Sequence, residues 1–130
     1  MSTILGKYSA QTYALMRIVT GFLFLWHGTQ KLFGLPPAAH QPTPFVMYVG
    51  GGIELVGGLL VMLGLFTSWA ALIASGEMAV AYWYAHGTKN ALPLVNGGEL
   101  AALYCFVFLC IAAQGAGVWS LDAARKGAWR

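Results

Sequence analysis

Apolar residues run along the chain in four long blocks separated by clusters of glycine, proline and asparagine, and this pattern predicts four helices. The first block covers about 13–33, "YALMRIVTGFLFLWHGTQKLF", and stops where "GLPPAAHQPTP" supplies Gly34, Pro36, Pro37, Pro42 and Pro44 as helix breakers. The second covers about 45–66, after which Thr67 and Ser68 are expected to form a tight turn and cap a third helix over about 69–86. A break at "GTKNALPLVNGG" leads to the fourth, "ELAALYCFVFLCIAAQ" over about 99–114, and a polar tail, "GAGVWSLDAARKGAWR". Crossing a hydrocarbon layer of about 30 Å takes roughly 20 residues per helix, so four crossings with short loops nearly fill the chain. The expected fold is all-α: an integral membrane four-helix bundle, antiparallel up-down-up-down, forming a single domain over residues 1–130.

Composition sharpens this expectation. Hydrophobic residues make up 58% of the chain and charged residues 8%, with a mean hydropathy of +0.67, which excludes an ordinary soluble domain. Lys7, Arg125, Lys126 and Arg130 flank the terminal side, against Lys31 and Lys89 on the other. The positive-inside rule then puts both termini in the cytoplasm. Arg17 interrupts the first apolar block and no small-x-small cleavage site follows it, so this block is expected to be a permanent helix, not a signal peptide. Tyr8, Tyr13, Trp26, Tyr48, Trp69, Trp83, Tyr84 and Trp119 fall mostly near span ends, as interfacial anchors do. The pI of about 9.0 rests on few charges at membrane edges. It points to the lipid bilayer as partner and away from nucleic acid.

The ionisable residues inside the blocks carry the candidate chemistry. At 1.5 Å per residue from the non-cytoplasmic side, His27 lies roughly 10 Å deep, and Glu54 and Glu77 roughly 13 Å deep, on three different helices. Lys31 and Glu99 lie shallower, and Arg17 lies toward the cytoplasmic half. Arg17, Thr20, Phe24, His27 and Lys31 share one face of the first helix, which should point into the bundle because a charge facing lipid costs several kcal/mol. Gly50, Gly51, Gly57 and Gly58 clear a surface around Glu54 on which a backbone or a ligand can approach, within reach of His27, Arg17 or Lys31. Ala71, Ser75 and Ala79 form a small-residue packing stripe on the third helix, with Glu77 on another face. His27, Glu54, Glu77, Arg17, Lys31 and Glu99 are therefore the candidates for ligand binding or proton exchange; the plainer alternative is that they hold the helices together.

Several chemistries are disfavoured. No Glu-x-x-His pair of the di-metal bundle type is present, so no metal ligands are assigned, although a carboxylate-rich site is left open. Haem held by two histidines is disfavoured, since His27 is buried and His86 sits at a helix end, while His40 belongs to the proline-rich loop. Cys105 and Cys110 point about 140° apart on one helix and form no C-x-x-C; they are expected to be buried structural cysteines. Nucleotide fingerprints and a Ser-His-Asp set are lacking, and no complete catalytic motif is present.

Taken together, "RIVTGFLFLWHGTQKLFG", "GGIELVGGLLVMLGLFTSWAALIASGEMAVAYWYAH", "LPLVNGGELAALYCFVFL" and "GAGVWSLD" resemble the DoxX family of small bacterial four-helix membrane proteins, over about Arg17 to Asp122. The family's polar signature falls on Arg17, His27, Gly28, Lys31, Glu54, Thr67, Glu77, Asn96, Gly97, Gly98, Glu99 and Ser120 to Asp122. The resemblance implies a link to membrane redox systems, since the family takes its name from a subunit associated with a terminal quinol oxidase and thiosulfate:quinone oxidoreduction. Other members have been linked to oxidative-stress complexes and to maturation pathways. The leading expectation is a component of a quinone-linked redox system, with His27 and Glu54 or Glu77 meeting a quinone-like headgroup. Other membrane or redox subunits would supply electrons, and self-association into a homo-oligomer is left open. The alternatives are a non-catalytic structural or assembly subunit, and a proton or small-solute conduit continued by Arg17.

Overall fold

In the computed structural model, which describes residues 2–127, the first apolar block forms helix α1, Ser9–Phe33, entered through a 3-10 turn at Gly6–Tyr8. It starts ahead of the expected Tyr13 because Ser9 to Thr12 contain no breaker. The helix ends at Gly34, whose left-handed backbone (φ 68°) lets its own N–H donate to the Gln30 carbonyl and the Leu35 N–H to that of Thr29. After the proline-rich loop, a π-helical turn at Val46–Gly50 runs into α2, Gly51–Leu63, which closes on Gly64 (φ 70°). Helix α3, Thr67–Tyr82, continues into a second π-helical turn, Trp83–Gly87. A single turn, α4 (Pro93–Asn96), precedes α5 (Glu99–Gln114), and α6 (Leu121–Arg125) follows a short loop. The described residues hold six α-helices and no strand. Arg130, counted above among the terminal charges, lies outside them.

Helix α1 packs chiefly on α2, and α3 on α5. Two glycines on each helix explain the first contact. A Cβ on Gly21 would come within 2.5 Å of the Met62 nitrogen and 2.6 Å of the Gly58 oxygen, and one on Gly28 would run into Leu55 and Gly51. The backbones touch, so the space left clear by Gly51 and Gly58 is filled largely by α1. The second contact uses the alanine face: Ala71, Ala74 and Ser75 are buried, and Ser75 Oγ donates to the Cys105 carbonyl at 2.7 Å. Phe24 links the two pairs, its ring centroid 4.6 Å from that of Phe108 and 5.2 Å from that of Tyr104.

Large apolar side chains point outward on every long helix: Leu15, Val19 and Leu23 on α1, Val56 and Leu63 on α2, Leu72 and Val80 on α3, Leu103 and Phe106 on α5. Among the described residues, Val46–Leu63 is the one helix that is apolar and long enough to cross a membrane by length and composition, with a mean hydropathy of 1.9 over 18 residues. Glu99–Gln114 is apolar but shorter. Helix α1 has the length, but Arg17, Thr20, His27 and Lys31 dilute its hydropathy.

Candidate functional site

Toward the end of the molecule that carries the proline-rich loop and α4, the helices line an open cavity of about 720 Å³. The inward face of α1 brings Phe24, His27 and Lys31 to it, α2 brings Glu54, α3 brings Glu77, and α5 brings Tyr104. Of the three partners the sequence offers Glu54, Lys31 is the one that takes it: the ammonium donates to both carboxylate oxygens at 2.8 Å. The Glu54 side chain is 4% exposed and that of Lys31 23%, so the pair is buried at the acid and open at the base. The His27 ring stands edge-on to Tyr104, with centroids 5.9 Å apart.

Glu77 completes the group from the opposite helix pair. Its carboxylate reaches Gly50, the last residue of the π turn before α2, where a Cβ would lie 3.2 Å from Oε1. Its Oε2 is buried and meets no protein partner. A buried polar atom without a hydrogen bond costs free energy, so this oxygen is a point at which a donor would be gained. The similar depth expected for His27, Glu54 and Glu77 is thus matched by their convergence on one cavity.

His86 belongs to the same lining, a placement that the sequence reading missed. The π-helical turn at Trp83–Gly87 carries it inward, and its Nδ1 lies 3.1 Å from the Asn96 carbonyl, which can only accept, so Nδ1 is the donor in this contact. Asn96 holds the loop around it, donating to Asn90 O at 2.9 Å and to the Tyr82 hydroxyl at 3.1 Å, and accepting from Gly98 N at 2.7 Å. Tyr104 was equally unforeseen; a phenol in the middle of an apolar block was its signal. Glu99 is exposed in the first turn of α5 and lies outside the cavity lining.

Arg17 is not brought to this group. It is fully buried at the other end of the molecule and spends all of its N–H donors on backbone carbonyls: Nε on Ala116 at 2.8 Å, Nη1 on Val61 and Met62 at 2.8 Å, and Nη2 on Val118 at 3.2 Å and Trp119 at 2.7 Å. Asp122 does related work beside it, accepting from Phe66 N and Thr67 N at 3.0 Å and from the Thr67 hydroxyl at 2.9 Å. This corrects the expected local cap at Thr67 and Ser68. Phe66 takes the N-cap position in a left-handed conformation (φ 47°), and the cap comes from the far end of the sequence. Ser120, fully buried, caps α6 by accepting from Ala123 N at 3.1 Å.

Among the described residues, no group of three or more His, Cys, Asp and Glu side chains is arranged to hold a metal ion. The expectation of buried cysteines holds only in part: Cys105 is half-buried, whereas Cys110 is exposed because it faces outward from α5.

The DoxX family profile matches residues 12–87, more than half of the chain and all the helices that carry His27, Lys31, Glu54 and Glu77. The chain belongs to the DoxX family. This DoxX protein is 43% identical to an "Uncharacterized protein" of Haemophilus influenzae, over 91% of the chain and 93% of that relative. It is 39% identical to the Bacillus subtilis protein named "Putative oxidoreductase CatD", over 83% of the chain and 82% of that relative. No solved structure gives a significant match. DoxX proteins are membrane-associated, which accords with the outward apolar faces of this one.

Proposed function

We propose that this DoxX protein is a multi-pass component of the bacterial inner membrane that binds a quinone-like headgroup and serves a quinone-linked redox system. Residues 1–130 form one domain, an antiparallel four-helix bundle built by α1, α2 with its preceding π turn, α3 and α5, with both termini in the cytoplasm. The outward apolar side chains of all four helices support this reading, as do the inward polar line on α1 and the placement of Lys7, Arg125 and Lys126 at the terminal end.

The observation that carries the functional reading is the convergence of Lys31, Glu54, His27 and the unpartnered Glu77 oxygen on one largely apolar cavity. A bound quinone would take up two electrons and two protons on becoming a quinol, the electrons coming from a partner oxidoreductase subunit. Lys31 and His27 offer donors to a carbonyl oxygen of the headgroup, and Glu54 fixes the ammonium in place. Glu77, with a free carboxylate oxygen, is positioned to exchange a proton with the headgroup. The name of the Bacillus subtilis relative adds support for a redox role. The conduit alternative loses its cytoplasmic half, because the donors of Arg17 are already committed to carbonyls.

The test is mass spectrometry of the protein purified from its native membrane in nanodiscs, wild type beside Glu54→Gln and His27→Ala. Quinone should co-purify with wild type and be lost from variants whose helicity and melting temperature are unchanged. Quinone content and quinone-dependent turnover of the assembled complex that are unaffected by Glu54→Gln would overturn the reading. Lower assembly with unchanged turnover per complex would favour a structural subunit.

A further inference from the structure

The helices α2 and α3 run back to back from the turn at residues 64–66. Near the turn that joins them they are in contact, a Cβ on Gly57 lying 4.0 Å from the Ala70 oxygen. Val49 of the π turn and Ile53 of α2 line the cavity, and so do Ile73, Gly76 and Val80 of α3. Val49, Ile73 and Val80 are exposed as well as lining the cavity, so the cavity is open where these side chains border it. Gly76 leaves a notch in the rim, with nothing within 4 Å of the place a Cβ would take. Next to Gly76, Glu77 reaches across to Gly50, and the Lys31–Glu54 pair, with Glu54 buried, lines the same cavity.

We infer that this opening is a lateral window onto the hydrocarbon of the bilayer, through which a ligand with a polar headgroup and a long apolar tail enters, its tail resting over Gly76. The window's rim has no group that would draw a water-soluble ligand, and the polar groups line the cavity it opens into. Apolar rim and polar cavity groups match the two parts of such a molecule. The outward faces beside the rim, Leu72 on α3 and Val56 on α2, are apolar and exposed, so they continue the surface along which a tail would lie. The inference rests on the quinone reading for the headgroup and adds the tail and the route.

A Cβ at Gly76 meets nothing within 4 Å, so Gly76→Phe places a ring at the notch and the variant is expected to fold. In nanodiscs, binding of a decyl-tailed benzoquinone and of the same benzoquinone without a tail is compared between variant and wild type, which cancels partitioning into lipid. Gly76→Phe should weaken the tailed probe by about tenfold or more and leave the tailless one within about twofold, whereas Glu54→Gln should weaken both. Equal effects of Gly76→Phe on the two probes, or none on either, overturn the window. A phosphatidylcholine with a diazirine on its acyl chain reads the route without quinone: it should label the segment Gly50–Glu54 in wild type and lose that label in Gly76→Phe. If wild type binds neither quinone but shows this labelling, the headgroup assignment falls and the window stands. Absence of labelling removes the window even where quinone binds.

Discussion

The two ends of this protein use buried cations in opposite ways. At the terminal end Arg17 is fully enclosed, and each of its donors meets a carbonyl from the end of α2 or the loop before α6. At the loop end Lys31 is part-exposed, its one carboxylate partner is buried, and a neighbouring carboxylate keeps an oxygen free. Both arrangements satisfy the rule that a charge inside an apolar fold needs partners. The first leaves no capacity for a ligand and ties three parts of the chain into one unit. The second leaves donors and acceptors facing a cavity. Completeness of the hydrogen bonding, more than the presence of charge, distinguishes a staple from a site.

Removing the staple should produce the largest effect. Arg17→Met strips the partner from five carbonyls that fold around it, and the loss is expected to be about 3–5 kcal/mol or more, by analogy with breaking a buried charged network. Thermal unfolding in detergent should show a markedly lowered midpoint or no folded protein, and a wild-type midpoint would erase the contrast between the two ends. Gly28→Leu should come next. Its side chain would be driven into the backbone of α2 at Gly51 and Leu55, separating α1 from α2 at a cost of about 1–3 kcal/mol or more by overpacking. A folded variant with unchanged α1–α2 distances by spin labelling would mean that the backbones do not touch as described.

The sequence made one of these ends readable and hid the other. His27, Glu54 and Glu77 could be placed together because helix rise and periodicity are local rules, and counting residues inside each apolar block suffices. Arg17 could be placed at its depth but not given its role, because its partners are main-chain carbonyls of residues 61–62 and 116–119. A carbonyl has no side-chain signature, and these lie far along the chain. The cap on α3 was misread for the same reason: Thr67 and Ser68 are local candidates, but Asp122 arrives from beyond α5. His86 does stand at the end of the third helix, but its place in the cavity lining was hidden, because nothing in its sequence announces a π-helical turn. The glycines around Glu54 were legible as a clearing, whereas their occupant became clear only when Gly21 and Gly28 proved to stand against Gly58 and Gly51.

Asp122 offers a milder way to loosen the closed end. Partial burial pushes its carboxyl up, but the Thr67 amide and hydroxyl, the Phe66 amide and then Arg125 outweigh that and hold it below the ordinary aspartate value. A carboxylate with a depressed pKa in the folded state stabilises the fold above its unfolded pKa, about 3.9, and the contribution is lost as pH falls through the folded value. Wild type should therefore lose stability on acidification through and below this range. Asp122→Asn should weaken the α3 cap at neutral pH by about 1 kcal/mol and flatten the acid dependence. The expected readout is the unfolding midpoint against pH for both proteins; parallel curves would remove Asp122 as the titrating group.

The smallest stability effects should come from the open end, and there two glutamates at neighbouring levels separate position from charge. Glu54 is buried against Lys31 inside the cavity, and Glu99 is exposed on the first turn of α5 outside it. Glu99→Gln should change stability by no more than about 0.5 kcal/mol, as surface substitutions usually do, and leave quinone content untouched. Glu54→Gln keeps the shape of the side chain and one acceptor for Lys31, so its structural cost should stay modest while ligand retention falls. Measured side by side, the pair asks whether a carboxylate matters at this end because it is negative or because it faces the cavity. Equal loss of ligand from both would make the effect a matter of surface charge at the loop end, and the cavity would no longer be needed to explain it. Loss from Glu54→Gln alone ties binding to the one carboxylate that the fold encloses there with a part-exposed partner.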